Sequence, residues 1–190
     1  MQLFSIGIGL KIFTRTNESV YGVWNTTAGR DSLPSTVGSG VSTYWPGETP
    51  SNAIDNNITS SYTNHGVCNT SVHGISCGGN TGFYVTVNNG PIILNAFYFI
   101  TSLLYQNRDP LTITIEGSNQ NSSLLTFGSS WTLIYNGSTG LTINPGRSKK
   151  GTTQILQNLP AAFASYRVLI TSKRGIESST SYTEFVMISN

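Results

Sequence analysis

The sequence carries few charged residues. Of its 190 residues only 9% are Asp, Glu, Lys or Arg, against about a quarter in an ordinary soluble domain. The net charge is +2, and the basic residues are scattered, with Lys149 and Lys150 as the only adjacent lysines. A nucleic-acid interface needs a clustered basic surface, so we expect no nucleic-acid partner. No apolar run reaches the length of a membrane helix, which predicts no membrane span.

Catalytic motifs are equally scarce. The chain has 8 acidic residues and 2 histidines, and it contains no nucleophile elbow, phosphate-binding loop or zinc-protease motif. We therefore expect no enzyme. One alternative stays open, because the paired carboxylates of a glycosidase meet only in the folded protein and leave no local pattern.

No segment has the pattern of a three-turn helix, whereas short strands separated by turn residues recur along the chain. In residues 111–117, for example, Leu111, Ile113 and Ile115 alternate with polar side chains that we expect to face outward. The run 131–137 ends in Asn-Gly, which is typical of a hairpin turn. The pattern predicts an all-β sandwich or barrel with strands near 2–12, 20–24, 83–87, 91–104, 111–117, 131–137, 163–171 and 182–188.

The first strand has one strongly apolar face. Alternation places Phe4, Ile6, Ile8, Leu10 and Ile12 on this face and Gly7 and Gly9 on the opposite one. The segment lacks the basic start and the small-residue cleavage site of a signal peptide, so we interpret it as structural. It could cover its own sandwich or complete the sheet of a neighbour. The second possibility predicts a homo-oligomer or polymer assembled through residues 1–14.

N-glycosylation acceptor sequences indicate a secreted or cell-surface protein. Six N-x-[ST] sequons occur, and together with the low charge they favour an extracellular location. We predict glycans at Asn17, Asn25, Asn69, Asn121 and Asn136. The sixth sequon, at Asn57, falls in a candidate metal loop described below, where a glycan would conflict with metal binding.

Two cysteines offer two alternatives. Eight residues, including Gly74, separate Cys68 from Cys77, which is enough chain to close a disulfide. With His65 and His73 the same cysteines also form H-x2-C-x4-H-x3-C, a spacing similar to zinc-ligand patterns. An oxidising extracellular compartment argues against free thiolates, so the disulfide is the preferred interpretation.

From residue 41 onward the order of motifs resembles the discoidin family, also called coagulation factor V/VIII type C, within the galactose-binding-like jelly rolls. The motifs that carry this resemblance are NAIDNNITSSYTN (52–64), GFYVTVNNG (82–90), RDPLTITIEGSN (108–119), WTLIYNG (131–137), YRVLITSKRG (166–175) and SYTEFVMI (181–188). The sequence departs from the family pattern at Asn56, Ser60 and Tyr62, where Gly, Thr and Trp are usual. The resemblance implies a jelly-roll β-sandwich of two antiparallel sheets at 41–190, preceded by an N-terminal strand extension and linker at 1–40.

The resemblance also implies a structural calcium ion that pins a loop. The ligands would be oxygens of Ala53, Asp55, Asn57, Ser60 and Glu184, in keeping with the hard oxygen donors that calcium prefers. The alternative is an Asx turn that satisfies its own backbone.

A glycan-binding surface is the third candidate site. Sugars are held by an aromatic plane and a few hydrogen-bonding groups, and similar carbohydrate-binding domains carry these groups on loops at one end of the sandwich. The candidates are Tyr44, Trp45, Tyr62, His65, Asn107 and Arg108. The alternative is that Trp45 and Tyr62 cap the core and that Arg108 pairs with Asp109.

These observations predict an extracellular, non-catalytic module that binds glycans or glycoproteins, in recognition or adhesion. The alternative function is a structural subunit of an extracellular filament or sheath, assembled through the N-terminal strand.

Overall fold

Two β-sheets pack face to face in the computed structural model, which describes residues 11–13, 17–157 and 161–189. The first sheet contains β1 (Lys11–Ile12), β4 (Thr36–Val37), β5 (Thr43–Tyr44), β6 (Tyr62–Asn64), β8 (Leu94–Thr101), β11 (Gln154–Ile155) and β13 (Thr180–Ser189). Its strand order is β11-β8-β13-β6-β5-β4, and β1 pairs with β13 beside this row. Only the β4–β5 pair is parallel among these strands.

The second sheet has the order β10-β9-β12-β7-β2-β3. Its strands are β2 (Val20–Trp24), β3 (Leu33–Pro34), β7 (Thr81–Thr86), β9 (Pro110–Ser118), β10 (Thr132–Ser138) and β12 (Ser165–Lys173). The helical content of the described residues is limited to four short 3-10 segments, Pro50–Ile54, Gln106–Arg108, Ser122–Leu124 and Gly128–Ser130, and no described helix is long and apolar enough to cross a membrane. The predicted all-β sandwich of two mostly antiparallel sheets is confirmed.

The core lies between the sheets because apolar side chains alternate along the long strands. The inward set consists of Phe83, Val85, Phe97, Phe99, Ile113, Ile115, Val168, Ile170, Phe185 and Met187, all buried. Several of these rings meet with centroids 5.0–6.3 Å apart, as aromatic pairs in cores prefer. The alternation read from the sequence therefore identifies the inner face correctly.

The outer face of β9 is not solvent-exposed as the alternation predicts. Glu116 is fully buried beside Arg167 of β12, because the segment at residues 29–32 covers both side chains. The Arg167 Nε atom donates to the Glu116 carboxylate over 2.7 Å, and the backbone N–H of Gly29 donates to its other oxygen over 2.8 Å. The Asn136-Gly137 pair is also not a turn, since both residues lie inside β10 and pair with β9.

Residues 20–37 contribute strands to both sheets, although the sequence analysis assigned them to an extension and a linker. Strand β2 pairs with β7, with Tyr21 opposite Tyr84, and the chain then crosses from β3 in the second sheet to β4 in the first. The sandwich therefore uses residues that precede the predicted boundary at residue 40.

The predicted N-terminal strand is described only at its end. Phe4, Ile6, Gly7, Ile8, Gly9 and Leu10 lie outside the described residues. Lys11 and Ile12 pair with Ser189 and Ile188 of β13, and the half-buried Phe13 packs on the core. Ile12 is 57% exposed, so its side chain is not covered by its own sandwich.

Candidate functional site

Loops from the first sheet converge at one end of the sandwich. Asn64, the last residue of β6, lies opposite Thr180 at the start of β13, and Thr101 at the end of β8 lies opposite Tyr182. The segments that follow β5, β6 and β8 and precede β13 therefore meet there. They enclose a cavity of about 380 Å³, here called the loop cleft, lined by Trp45, Glu48, Thr63, His65, Thr70, His73, Leu104, Tyr105, Arg108 and Ser178.

Two exposed aromatic rings line the loop cleft. Trp45 follows β5 and meets the His65 ring edge-on at a centroid distance of 6.0 Å. Tyr105 has a left-handed backbone conformation with φ of 58°, which turns the chain sharply after β8. The guanidinium of Arg108 lies 4.1 Å from the centre of the Tyr105 ring, a cation–π arrangement. The cleft thus presents aromatic surface with a cation at its side.

Polar groups in the cleft wall are held by their own partners. The Nε and Nη2 atoms of Arg108 donate to the same carboxylate oxygen of Glu177 over 3.3 and 3.2 Å, and His73 Nδ1 lies 3.8 Å from that oxygen. Glu177 therefore orients Arg108, and the His73 ring lies close to the same carboxylate oxygen. Charge-assisted contacts of this kind fix a guanidinium better than a neutral partner does.

His65 carries a buried acceptor rather than a charge. Its ring is almost fully buried, and burial lowers the pKa of the imidazole, so His65 is neutral near pH 7. The Nδ1 atom lies 3.3 Å from the carbonyl oxygen of Ser178. Since a carbonyl only accepts, Nδ1 carries the proton and donates. The lone pair of Nε2 is then left as an acceptor, and it has no hydrogen-bond partner among the described residues.

The disulfide between Cys68 and Cys77 is confirmed, with the two Cα atoms 5.2 Å apart. It removes both thiolates that the alternative zinc site needs. The bridged loop carries Thr70 and His73 into the cleft wall. At its end Gly78 has φ of +74°, and a Cβ there would lie 2.2 Å from the backbone nitrogen of Thr180, so only glycine allows the loop to pack on β13 this closely.

The residues of the predicted calcium loop come together beside the cleft. The backbone N–H of Asn57 donates both to Asp55, over 2.9 Å, and to Glu184, over 2.8 Å. The Ser60 hydroxyl donates to the other Asp55 oxygen over 2.9 Å. Ala53 is buried in the 3-10 segment just before them. Asn57 and Ser60 also line a hollow of about 430 Å³ that shares Glu48, Leu104, Tyr105 and Arg108 with the loop cleft.

This loop carries oxygen donors of the type that a hard cation prefers. Glu184 is buried, and this burial, followed by the hydrogen bond with Asp55, raises the pKa of its carboxyl from 4.5 to about 8. A cation would favour the ionised form that the pair otherwise resists. The fit is partial, because the Asn57 side-chain oxygen already accepts from the N–H and hydroxyl of Thr59. In the described chain no group of three or more His, Cys, Asp or Glu could hold a metal, so the remaining donors would be neutral oxygens.

Three predicted glycan-binding residues do not line the loop cleft. Tyr62 is 1% exposed and packs in the core, where its hydroxyl donates to the carbonyl of Gly82; this is the capping role of the alternative interpretation. Tyr44 ends β5 and lines a different cavity from Trp45, the residue after it, since consecutive side chains of an extended segment point to opposite sides. The Asn107 side chain lies over Gly175. Trp45, His65 and Arg108 do meet in the cleft.

Other cleft residues were missed by the sequence analysis. Tyr105 and Leu104 were hidden because residues 91–104 were interpreted as one continuous strand, whereas β8 ends at Thr101. Glu48 and Glu177 carry no pattern of their own. Arg108 pairs with Glu177 rather than with Asp109, and the buried Asp109 pairs instead with Arg147 and Arg174. These long-range partners leave no signal in local spacing.

The predicted glycosylation sites are accessible to different degrees. Asn17, Asn25, Asn121 and Asn136 are exposed, as is Asn57, and Asn69 is half-buried. The side-chain oxygen of Asn69 accepts from the backbone N–H of Ser71. Exposure is necessary for an acceptor asparagine, and whether each site carries a glycan remains a prediction.

Solved structures of similar fold are carbohydrate-binding modules and an F5/8 type C domain. The family 32 module of Clostridium perfringens NanJ, solved with galactose, is 12% identical, with a TM-score of 0.56 over 94% of this chain and 98% of that one. An F5/8 type C domain from Bacteroides fragilis is 12% identical, with a TM-score of 0.62 over 94% and 95%. A family 62 module from Clostridium thermocellum is 14% identical, with a TM-score of 0.53 over 95% and 97%.

Sequence comparison, unlike structure comparison, identifies no similar protein. No protein-family model matches the sequence, and no curated protein matches it. At these identities the likeness establishes the fold and not the ligand. This chain therefore has the discoidin-like fold that F5/8 type C domains share with the family 32 carbohydrate-binding modules.

Proposed function

We propose that the protein is a non-catalytic glycan-binding module and that the loop cleft is its binding site. The observation that carries this proposal is the convergence of Trp45, Tyr105, His65 and Arg108 in one cavity at the loop end of the sandwich. Aromatic faces hold the apolar side of a sugar ring, while a few fixed polar groups select its hydroxyls. The similar module of Clostridium perfringens NanJ, solved with galactose, supports the same ligand class.

Each polar group of the cleft has its own role in this proposal. The unpartnered Nε2 lone pair of His65 accepts a sugar hydroxyl, provided the ring shifts enough to open this buried atom to the cleft. Arg108, held by Glu177, donates to sugar oxygens while Tyr105 supports its guanidinium. Because Arg108 is already paired with Glu177 and Glu48 adds a carboxylate to the wall, the cleft offers an acidic sugar no unpaired guanidinium and suits neutral sugars.

Calcium belongs to this proposal as a structural ion. Asp55, Ser60 and Glu184 would hold it, with the Ala53 carbonyl and Asn57 completing the donor set. When bound, the ion supplies positive charge that stabilises two neighbouring carboxylates. The loop that it fixes forms one wall of the hollow adjoining the cleft, so its effect on binding would be through loop position.

The setting of the module is proposed to be extracellular, at a secreted or cell-surface location. The sequons and the disulfide support this, because N-glycans are added in the secretory pathway and disulfides persist in an oxidising compartment. Adhesion to extracellular glycans or glycoproteins would then be its biological use.

A glycan array with calcium present tests the proposal. We expect binding to neutral glycans, and we expect Trp45→Ala to weaken it at least about tenfold, which corresponds to about 1.4 kcal/mol. Leu133→Ala is the control, since Leu133 is an exposed side chain of β10 that lines neither the cleft nor the adjoining hollow. The proposal fails if no sugar binds, or if both variants bind as the unmodified protein does.

A further inference from the structure

We propose that the protein has a second saccharide-binding site, specific for neutral sugars, in a groove at the side of the sandwich. This side groove has a volume of about 400 Å³. It lies between strands β2 and β3 at the edge of the second sheet and the 3-10 segment Pro50–Ile54 beside the first. Its walls include Tyr21, Tyr44 and Tyr84. The inference does not depend on the proposed role of the loop cleft.

An ordered aromatic surface forms one wall of the side groove. Tyr21 and Tyr84 face each other across the β2–β7 pair, and their rings stack with centroids 5.0 Å apart and an interplanar angle of 20°. Tyr84 in turn lies 5.9 Å from the Trp131 ring. This row holds Tyr21 in place from one side, and Tyr21 is still 53% exposed. A ring fixed on one face and open on the other is a preorganised platform for a sugar ring.

Hydroxyl groups surround this platform without any charge. The remaining described lining includes the hydroxyl-bearing Ser32, Ser35, Thr49, Ser51 and Thr126, and none of the described lining residues is Asp, Glu, Lys, Arg or His. A uronic acid or a phosphate brought into this groove would lose water without gaining a counter-charge. The hydroxyls of Ser32 and Thr49 already donate to the Leu125 carbonyl and to Asn52. A neutral saccharide would therefore exchange its hydration for hydrogen bonds with the hydroxyls of Ser35, Ser51 and Thr126.

The bottom of the side groove depends on a glycine. A Cβ on Gly22 would lie 2.5 Å from the Ser35 hydroxyl and 2.7 Å from Cγ of Pro50. The backbone N–H of Ser35 donates to the Gly22 carbonyl over 2.9 Å. Close approach at Gly22 therefore brings Ser35 and Pro50 together as one continuous surface, rather than as separate loops.

One segment of chain separates the side groove from the loop cleft. Tyr44 lies in the side groove and its neighbour Trp45 in the cleft. Further along, Glu48 faces the cleft while Thr49 and Ser51 face the groove. The two sites therefore use opposite sides of residues 44–51, and one protein molecule could hold two sugar residues. Two weak sites on one module raise affinity for a polyvalent glycan by effective concentration.

A proline-rich peptide is the competing occupant, because tyrosines and prolines also line peptide grooves. We favour a saccharide because the Tyr21–Tyr84 pair is stacked in parallel and offers one open face. A polyproline helix instead docks between separate aromatic ridges. The hydroxyl groups around the platform also favour a saccharide over a proline-rich peptide.

Two-dimensional NMR of the uniformly labelled protein tests the inference with matched probes. The probes are glucose and galactose, and their charged counterparts glucuronate and galacturonate, with a decaproline peptide as the alternative occupant. We expect a neutral sugar to shift the amide signals of Gly22, Ser35 and Ser51, and the uronates to shift them much less. Tyr21→Ala should raise the dissociation constant read from these signals at least about tenfold. Leu133→Ala should leave it unchanged; Leu133 is 52% exposed, which matches Tyr21.

Several outcomes would overturn the inference. They are the absence of shifts at Gly22, Ser35 and Ser51 with either neutral sugar, equal shifts with the uronates, shifts with decaproline alone, or full retention of binding in Tyr21→Ala. The spectrum of each variant shows directly whether it is folded. Signals of Thr63 and Arg108 report the loop cleft in the same titration, so failure there and failure in the side groove are read separately.

Discussion

Buried charged side chains connect segments that the strand pairing leaves apart. Arg167 lies under the segment at residues 29–32, where its Nη1 atom donates to the Arg30 carbonyl over 2.9 Å and to the Ser32 hydroxyl over 2.7 Å. The same guanidinium lies 4.7 Å from the centre of the Trp131 ring. With Glu116 it forms a buried ion pair whose partners are nearly all satisfied. Such a pair is costly to break because it leaves an uncompensated charge behind.

Replacing Arg167 with Met should therefore lower the free energy of unfolding by about 3–5 kcal/mol, since Glu116 would remain buried without its partner. Urea denaturation measures this change. Arg30→Met is the matched control, because Arg30 binds Arg167 through its backbone carbonyl and is itself exposed, and we expect a change of about 0.5 kcal/mol or less there. Equal losses in the two variants would contradict the assigned role of the ion pair.

Glu184 should give the stability a distinct pH dependence. Between pH 4.5 and about pH 8 the folded protein holds the Glu184 proton more tightly than the unfolded chain does, since burial raises the pKa of this carboxyl. The contribution of Glu184 to stability is then fully present below pH 4.5 and falls as the pH rises toward 8. Glu184→Gln should remove this trend. With a chelator present, the melting temperature of Glu184→Gln minus that of the unmodified protein should therefore be larger at pH 8 than at pH 5.

Calcium should act in the opposite direction at the same residue. An ion that binds only the folded protein stabilises it by mass action, and it binds best where the carboxyl is ionised. Adding calcium should raise the melting temperature of the unmodified protein more at pH 8 than at pH 5, and should have little effect on Glu184→Gln. A melting temperature that does not respond to chelation would argue against the ion.

At the scale of elements, sequence patterns identified the strands better than their surroundings. The strand predicted near 20–24 corresponds to β2, and the inner-facing Ile113 and Ile115 of β9 follow from alternation alone. Glu116 and Tyr105 do not, because the cover over Glu116 comes from 87 residues away and Tyr105 lies in a left-handed turn at the end of an apolar run. Cleft residues such as Trp45 and Arg108 could be predicted because they lie in recognisable local sequence patterns. Glu177 could not, because its partner Arg108 is distant in the sequence.

The disulfide loop links stability to the cleft. Opening the Cys68–Cys77 bridge by Cys68→Ser with Cys77→Ser should cost about 2–3 kcal/mol, the entropic contribution of a short closed loop. Because this loop carries Thr70 and His73 into the cleft wall, sugar binding at the loop cleft should weaken as well. Denaturation and a glycan titration measure the two effects.

The side groove supplies the internal control for that experiment, as its described lining includes no residue of the disulfide loop. Binding there should persist in the double cysteine variant while the protein remains folded. Loss at both sites would indicate general unfolding rather than a local effect of the bridge.

At the scale of the whole molecule, one sandwich presents two openings of different character. The loop cleft combines aromatic rings with a paired cation, and the side groove combines aromatic rings with hydroxyls only. Both depend on residues 44–51, which pass between them. Residues in the segment 20–37 form part of the side-groove lining. A protein shortened to residues 41–190 would therefore lose β2 together with Tyr21.

Self-association is the remaining prediction, and it rests on the sequence of the N-terminal segment. The alternation predicts that five large apolar side chains from Phe4 to Ile12 share one face, and that Gly7 and Gly9 on the other face allow the close approach of another backbone. Because β1 pairs with β13 through Lys11 and Ile12, deletion of residues 1–10 leaves that pairing in place. We expect light scattering to find multimers of the full chain and monomers of the shortened one, with similar melting temperatures. Gly7→Leu with Gly9→Leu should impair assembly more than folding; a full chain that is monomeric from the start would rule the polymer out.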